Sequence, residues 1–326
     1  MYQSFGSTVQ SVTTVVAAYM GGLGLGAWLL GRRVDRHPRP AALYGRLEIL
    51  IGLFGLVSPL VLALAQQGYV ALDHGLPPGS GVSVGLRFGL AGLVLLIPTT
   101  LMGGTLPVLT RAFTATDRGR LRASLGRLYG LNTLGACVGT AVAGFFLIEH
   151  VGIRVSLWGT AIANLVIGVV ALRLPDPAPA PAGADAGSQP GEGESATVPF
   201  STPRALRSLA IVLLALTAFA SLLDEIAWTR ILVMVVGGST YAFTLVLLCF
   251  LLGIGIGSSL VARRRTSPGE TAASAALAQG VTAAGAAIIL FFFNWLPAYI
   301  VWVFQIPDID AGPRLALMGG AVAAVV

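Results

Sequence analysis

The amino-acid sequence predicts an all-α polytopic transmembrane helix bundle built from two repeated halves and truncated at both ends. Three observations carry that expectation. The chain is 55% hydrophobic and only 10% charged, with a mean hydropathy of +0.83, more apolar surface than one soluble core can bury. Its apolar runs have the length that crosses the roughly 30 Å hydrocarbon layer as helix, and none alternates as a barrel strand would. Third, Phe5 to Arg33 reappears without a gap as Val236 to Arg264, matching Gly6/Gly237, Thr13/Thr244, Gly22/Gly253, Gly24/Gly255, Gly26/Gly257, Leu29/Leu260 and the terminal Arg pair. Such internal symmetry marks transporter-type folds made of two helical halves.

Eight complete spans are expected, at residues 8–31, 42–66, 86–110, 126–148, 153–173, 207–236, 240–262 and 272–300. The loops after the first, third and seventh carry the arginines: Arg32, Arg33, Arg36 and Arg39, then Arg111, Arg118, Arg120 and Arg122, then Arg263, Arg264 and Arg265. Counting spans puts those loops on one side, which the positive-inside bias makes cytoplasmic. The opposite loops, with Asp73 and His74 or Glu149 and His150, are poor in arginine. The same distribution excludes nucleic acid as a partner, because the basic clusters sit against apolar spans without interleaved aromatics. The lipid bilayer is the partner that composition demands.

Leu174 to Pro203 is rich in Pro, Ala, Gly and Ser and holds four acids, a composition too poor in apolar groups to fold. Domain organisation follows: an N-terminal half-bundle at 1–173, a disordered cytoplasmic linker at 174–206 and a C-terminal half-bundle at 207–326. Each half implies on the order of six helices. The span before the second copy has no first-half counterpart, and the apolar run from Leu315 to Val326 is too short to cross. The expectation is therefore a missing first helix and an unfinished last one. No signal-peptide pattern opens the chain.

Cys137 and Cys249 fall inside spans, and His37, His74 and His150 in three different loops, so neither a disulfide framework, a metal site nor a cofactor is expected. Gly22, Gly24 and Gly26, with Gly253, Gly255 and Gly257, lack nucleotide-loop spacing and read as packing surfaces that let helices approach in lipid. Gly126/Gly130, Gly135/Gly139 and Gly319 or Gly320 read the same way. Pro98 and Pro107 free backbone carbonyls in the third span.

Asp224, Glu225 and Arg230 interrupt an apolar stretch, and each uncompensated charge at depth costs about 3 kcal/mol on insertion scales. Glu225 and Thr229 share a helical face while Arg230 is turned away from both acids, so a partner on another helix is expected. The segment Asp224, Glu225, Trp228, Thr229, Arg230 either lines a central cavity or its outer gate, or ties two helices at a span end. Asn132, among glycines, is a ligand contact or an interhelical hydrogen-bond donor. Arg46 and Glu48 lie just inside the second span, and Arg46 can snorkel to the interface.

The loop Gly31-Arg-Arg-Val-Asp35-Arg36-His-Pro-Arg39 resembles the cytoplasmic loop motif of the major facilitator superfamily, with Pro38 where a second glycine is usual. In that motif Asp35 would hold backbone donors or arginines, while Arg36 and Arg39 anchor at headgroups. Asp224-Glu225-Ile-Ala-Trp228-Thr229-Arg230, Gly237-Gly-Ser239-Thr-Tyr241-Ala242, the Gly253 to Gly257 run and Leu128-Tyr129-Gly130-Leu131-Asn132-Thr133-Leu134-Gly135-Ala136 together resemble the membrane portion of fused proteins joining a facilitator-like bundle to a spermidine-synthase-like domain. The resemblance implies a multi-pass protein of the cell (inner) membrane, handling or delivering a small polar or polyamine-related substrate. It also implies a C-terminal aminopropyltransferase-like partner domain, no part of which lies in these residues, so no catalytic residue carries over. A self-standing secondary transporter and a purely structural membrane anchor are the alternative expectations.

Overall fold

The computed structural model describes residues 9–34, 37–74, 80–114, 121–174, 204–236, 240–263, 268–292, 295–306, 310, 312–313, 316–318 and 320. The described residues are almost entirely helical, without strands. The helices are α1 (Val9–Val34), α2 (Pro40–Asp73), α3 (Gly81–Thr114), α4 (Leu121–Val142), α5 (Ile153–Arg173), α6 (Arg204–Val236), α7 (Thr240–Arg263), α8 (Pro268–Phe292) and α9 (Trp295–Gln305). Among them seven stretches are long and apolar enough to cross a bilayer: Thr13–Val34, Pro40–Asp73, Gly81–Phe113, Leu128–His150, Ile153–Arg173, Ile211–Thr229 and Phe243–Leu260. The protein is thus a multi-pass α-helical membrane protein. The eighth expected span, 272–300, is found as α8 and α9, with residues 293–294 outside the described ones and a shorter apolar stretch at Ala276–Ile288. The linker residues 175–203, Arg118, Arg120, Arg264 and Arg265, and the stretch from Leu315 apart from the short turns at 316–318 and 320, lie outside the described residues.

Both α2 and α3 run for 34 residues, longer than the spans read from the sequence. Hydropathy falls at Gln66 and Gln67, but helix continues because nothing there withdraws a backbone donor. Pro40 occupies the first turn of α2, where its missing N–H costs nothing. Pro59 sits inside the helix and leaves the Gly55 carbonyl without its usual donor. The Ser58 hydroxyl donates to that carbonyl at 2.8 Å. Past Val142 the fourth helix widens into one π-helical turn, Ala143–Leu147, and ends at His150. Gly152 then adopts φ 84°, a left-handed conformation that a side chain resists, and its N–H donates to the Leu147 carbonyl at 3.1 Å.

The helices group into two compact units: Met1–Ser124 with Leu157–Ile226, and Leu125–Ser156 with Ala227–Val326. This division runs differently from the sequence halves. In the first unit α1 and α3 pack in parallel with almost no side chain between them. A Cβ on Gly22 would overlap Thr99, one on Gly26 the Thr100 carbonyl, one on Gly103 the Leu23 backbone and one on Gly104 the Leu30 side chain. A second seam joins α2 and α5 antiparallel: a Cβ on Gly45 would lie 2.7 Å from the Gly168 carbonyl oxygen, and one on Gly52 2.8 Å from that of Ala161. Both partners advance by seven residues, the step that keeps one face in register. Val34, Leu47 and Val108 form a buried apolar cluster joining α1, α2 and α3.

In the second unit Gly144, in the π-helical turn, presses against Thr244 of α7, and Gly255 meets the Thr133 methyl of α4. These two contacts define an antiparallel register. The paired glycines of the repeat are therefore used differently: Gly22 and Gly26 make close contact in α1, whereas Gly253 and Gly257 have open space and Gly255 makes the contact in α7. The glycines of α1 meet a parallel helix, and Gly255 of α7 meets an antiparallel one. Gly130, Gly135, Gly139 and Gly320, expected as packing surfaces, have no neighbour among the described residues within 4 Å of where a Cβ would stand; in α4 it is Thr133 and Cys137 that are buried. The surroundings of Gly126 and Gly319 lie outside the described residues.

Candidate functional site

The sequence-derived site segment lies on α6, where Asp224 is exposed and Glu225, Trp228 and Thr229 are half-buried. The side chain of Arg230 is outside the described residues. The boundary between the two compact units follows Ile226, so Asp224 and Glu225 belong to one unit and Trp228 and Thr229 to the other. Asn132 is exposed on α4 while its neighbour Thr133 is buried, donating to the Tyr129 carbonyl at 2.9 Å. Of the loop motif, Gly31 is half-buried at the end of α1 and Asp35 and Arg36 lie outside the described residues. Arg39 is exposed just before α2, its backbone N–H donating to His37 Nδ1 at 3.2 Å.

The structure assembles polar clusters that the sequence left unread. The densest joins the end of α2 to the start of α3. Arg87 Nη2 donates to the Tyr69 phenol oxygen at 3.0 Å, and the Tyr69 hydroxyl donates to Asp73 Oδ2 at 3.1 Å. Ser83 Oγ lies 3.2 Å from the same phenol oxygen and is itself buried. The guanidinium carbon stands 5.1 Å from the Tyr69 ring centroid, a cation–π arrangement. Tyr69 thus mediates between a cation and an anion, and two buried atoms of complementary character, Arg87 Nε and Asp73 Oδ1, have no partner among the described residues. On the adjoining face of α2 a groove of about 460 Å³ is lined by Ala63, Gln66, Gln67, Val70, Ala71 and His74. His74 Nδ1 contacts the Val70 carbonyl.

At the other end of α2, Glu48 is buried, 9% exposed, and shares a hydrogen bond with Tyr44 one turn earlier. A buried carboxyl in a span must be hydrogen-bonded or neutral to be tolerated. Arg46, on the opposite face, is exposed and free to reach the interface. In the second unit the Tyr241 hydroxyl donates to Glu149 Oε2, and the Tyr241 ring stacks on Phe145 with centroids 6.0 Å apart. Tyr241 precedes the apolar span Phe243–Leu260. Its phenol is raised above the ordinary range, first by the hydrogen bond to Glu149, then by burial and by the carboxylate's charge.

A signal for the first cluster was present in the chain, since Tyr69 and Asp73 stand one helical turn apart and Arg87 opens the next span. Nothing in a single sequence says that the two helix ends meet there. Among the described residues no group of three or more His, Cys, Asp or Glu lies together to hold a metal ion, and Cys137 and Cys249 are free thiols. These arrangements tie helices and receive charged or hydrogen-bonding groups; they do not pair a nucleophile with a base. No protein-family model matches the chain, and no curated protein or solved structure matches it.

Proposed function

We propose that the chain is the membrane part of a spermidine-synthase-like fusion, a facilitator-type bundle that handles or delivers a small polar or polyamine-related substrate at the membrane. The observation that carries this reading is the ungapped repeat of Phe5 to Arg33 in Val236 to Arg264, whose described parts fall in the bilayer-length helices α1 and α7. The chemistry of the α6 segment suits such a substrate. Asp224 and Glu225 offer carboxylates to an ammonium group. These charges also account for the interruption of an otherwise apolar span.

Uptake of radiolabelled putrescine and spermidine into proteoliposomes holding the full chain tests the reading. Substrate-dependent flux is expected, and Glu225→Gln lowers it at least about tenfold, the loss of roughly one charge-assisted contact. Flux of another solute with no polyamine effect points to a transporter without enzymatic partner. Absence of any substrate-dependent flux or binding points to a structural anchor.

A further inference from the structure

The parallel packing of α1 on α3 brings the last turns of both helices together, where a Cβ on Gly31 would lie 3.9 Å from Pro107 Cβ. Arg32 and Arg33 close α1 and Arg111 closes α3, so three guanidinium groups gather at one end of the pair. Helix C-termini carry partial negative charge, but two such ends offset only part of three full cations. The described acid of this end, Glu48, is buried and bonded to Tyr44. Arg32 and Arg33 are exposed and Arg111 is half-buried.

Immediately toward the apolar part of α1 stands Trp28, 53% exposed, with the Arg32 guanidinium carbon 4.5 Å from its ring centroid. Trp28, Arg32 and the exposed Leu25 share one helical face. Cation, interfacial aromatic ring and apolar chain follow one another along that face in the order in which a phospholipid presents phosphate, glycerol and acyl chain. We propose that this end of the α1 and α3 pair is a binding site for one anionic phospholipid, its phosphate held by Arg32, Arg33 and Arg111 and an acyl chain laid along Trp28 and Leu25. A zwitterionic lipid is disfavoured because its ammonium group meets the same three cations, and inorganic phosphate forgoes the contact with Trp28 and Leu25.

Native mass spectrometry of the full chain, titrated in detergent with phosphatidylglycerol or phosphatidylcholine of matched acyl chains, tests the site. Phosphatidylglycerol is expected to be retained preferentially. The R32Q/R33Q/R111Q variant should bind it on the order of a hundredfold more weakly, from about tenfold or less per removed charge, with binding of phosphatidylcholine unchanged. Arg154→Gln, removing an exposed arginine at the start of α5, should leave both lipids as in the parent protein. Should the triple variant fail to fold, Arg32→Gln alone, at several-fold weaker binding, decides. Equal affinity for the two lipids, unchanged phosphatidylglycerol binding in the arginine variants, or displacement of the lipid by millimolar inorganic phosphate would each overturn the proposal.

Discussion

Glu149 accepts a hydrogen bond from the Tyr241 phenol where the fourth and seventh helices meet, and that bond sets a pH dependence of definite sign. Because the folded chain holds this phenol above its ordinary value near 10, the unfolded chain ionises first as pH rises. The contribution of the pair to stability is complete below pH 10 and declines as pH climbs through the raised value. Thermal unfolding in detergent should therefore show the parent protein melting above Tyr241→Phe at pH 8, with the gap narrowing by pH 11. A gap that is constant across that range would mean that Tyr241 contributes by packing on Phe145 alone. Residues of this kind were the least legible from the sequence. Tyr69, Ser83 and Arg87 are each ordinary at a span end, and only the fold shows that one phenol sits between Arg87 and Asp73.

At the level of the helix, close approach is selective, and neighbouring glycines of one run separate cleanly. Gly26 has the Thr100 carbonyl where its Cβ would be, whereas Gly24 has open space. Gly26→Ala should destabilise the protein by about 3 kcal/mol or more, because the obstructing atom is backbone and cannot turn aside. Gly24→Ala should be neutral or stabilising by up to about 1 kcal/mol through helix propensity. Unfolding midpoints in detergent measure both, and equal effects would remove the α1 and α3 seam. The existence of glycine seams was legible, since small residues recur in apolar helices. Their pairing was not: Gly45, Gly52, Gly103, Gly104, Gly144 and Gly168 acquire meaning only from the helix opposite. Gly130, Gly135 and Gly139 show that a small residue with no partner is merely a gap in the side-chain surface.

For the whole molecule, apolar length and arginine placement predict a topology that can be checked directly. Arg39 and His74 stand at opposite ends of α2, both exposed, while the native Cys137 is buried and Cys249 half-buried. In intact cells a charged maleimide should label His74→Cys, and should reach Arg39→Cys only after permeabilisation. Labelling of both from the same side would exclude the membrane crossing by α2. The spans were legible because about twenty apolar residues with few charges have one stable solution in lipid. Helix ends were not, since hydropathy records where a chain leaves the hydrocarbon and not where its backbone hydrogen bonds stop.

That difference has a physical result for α2 and α3. A rod of 34 residues rises about 51 Å, and at tilts from zero to about 40° only some 30–39 Å of it fits in the oily layer. Roughly 12–21 Å of each must therefore stand in the headgroup zone or beyond. Tyr69 and Asp73 stand in the last turns of one rod, and Ser83 and Arg87 in the first two turns of the next. There the knot can keep its charges in contact with a wet, ion-rich layer, and stiffen the rim of the protein at no cost to the lipid beneath.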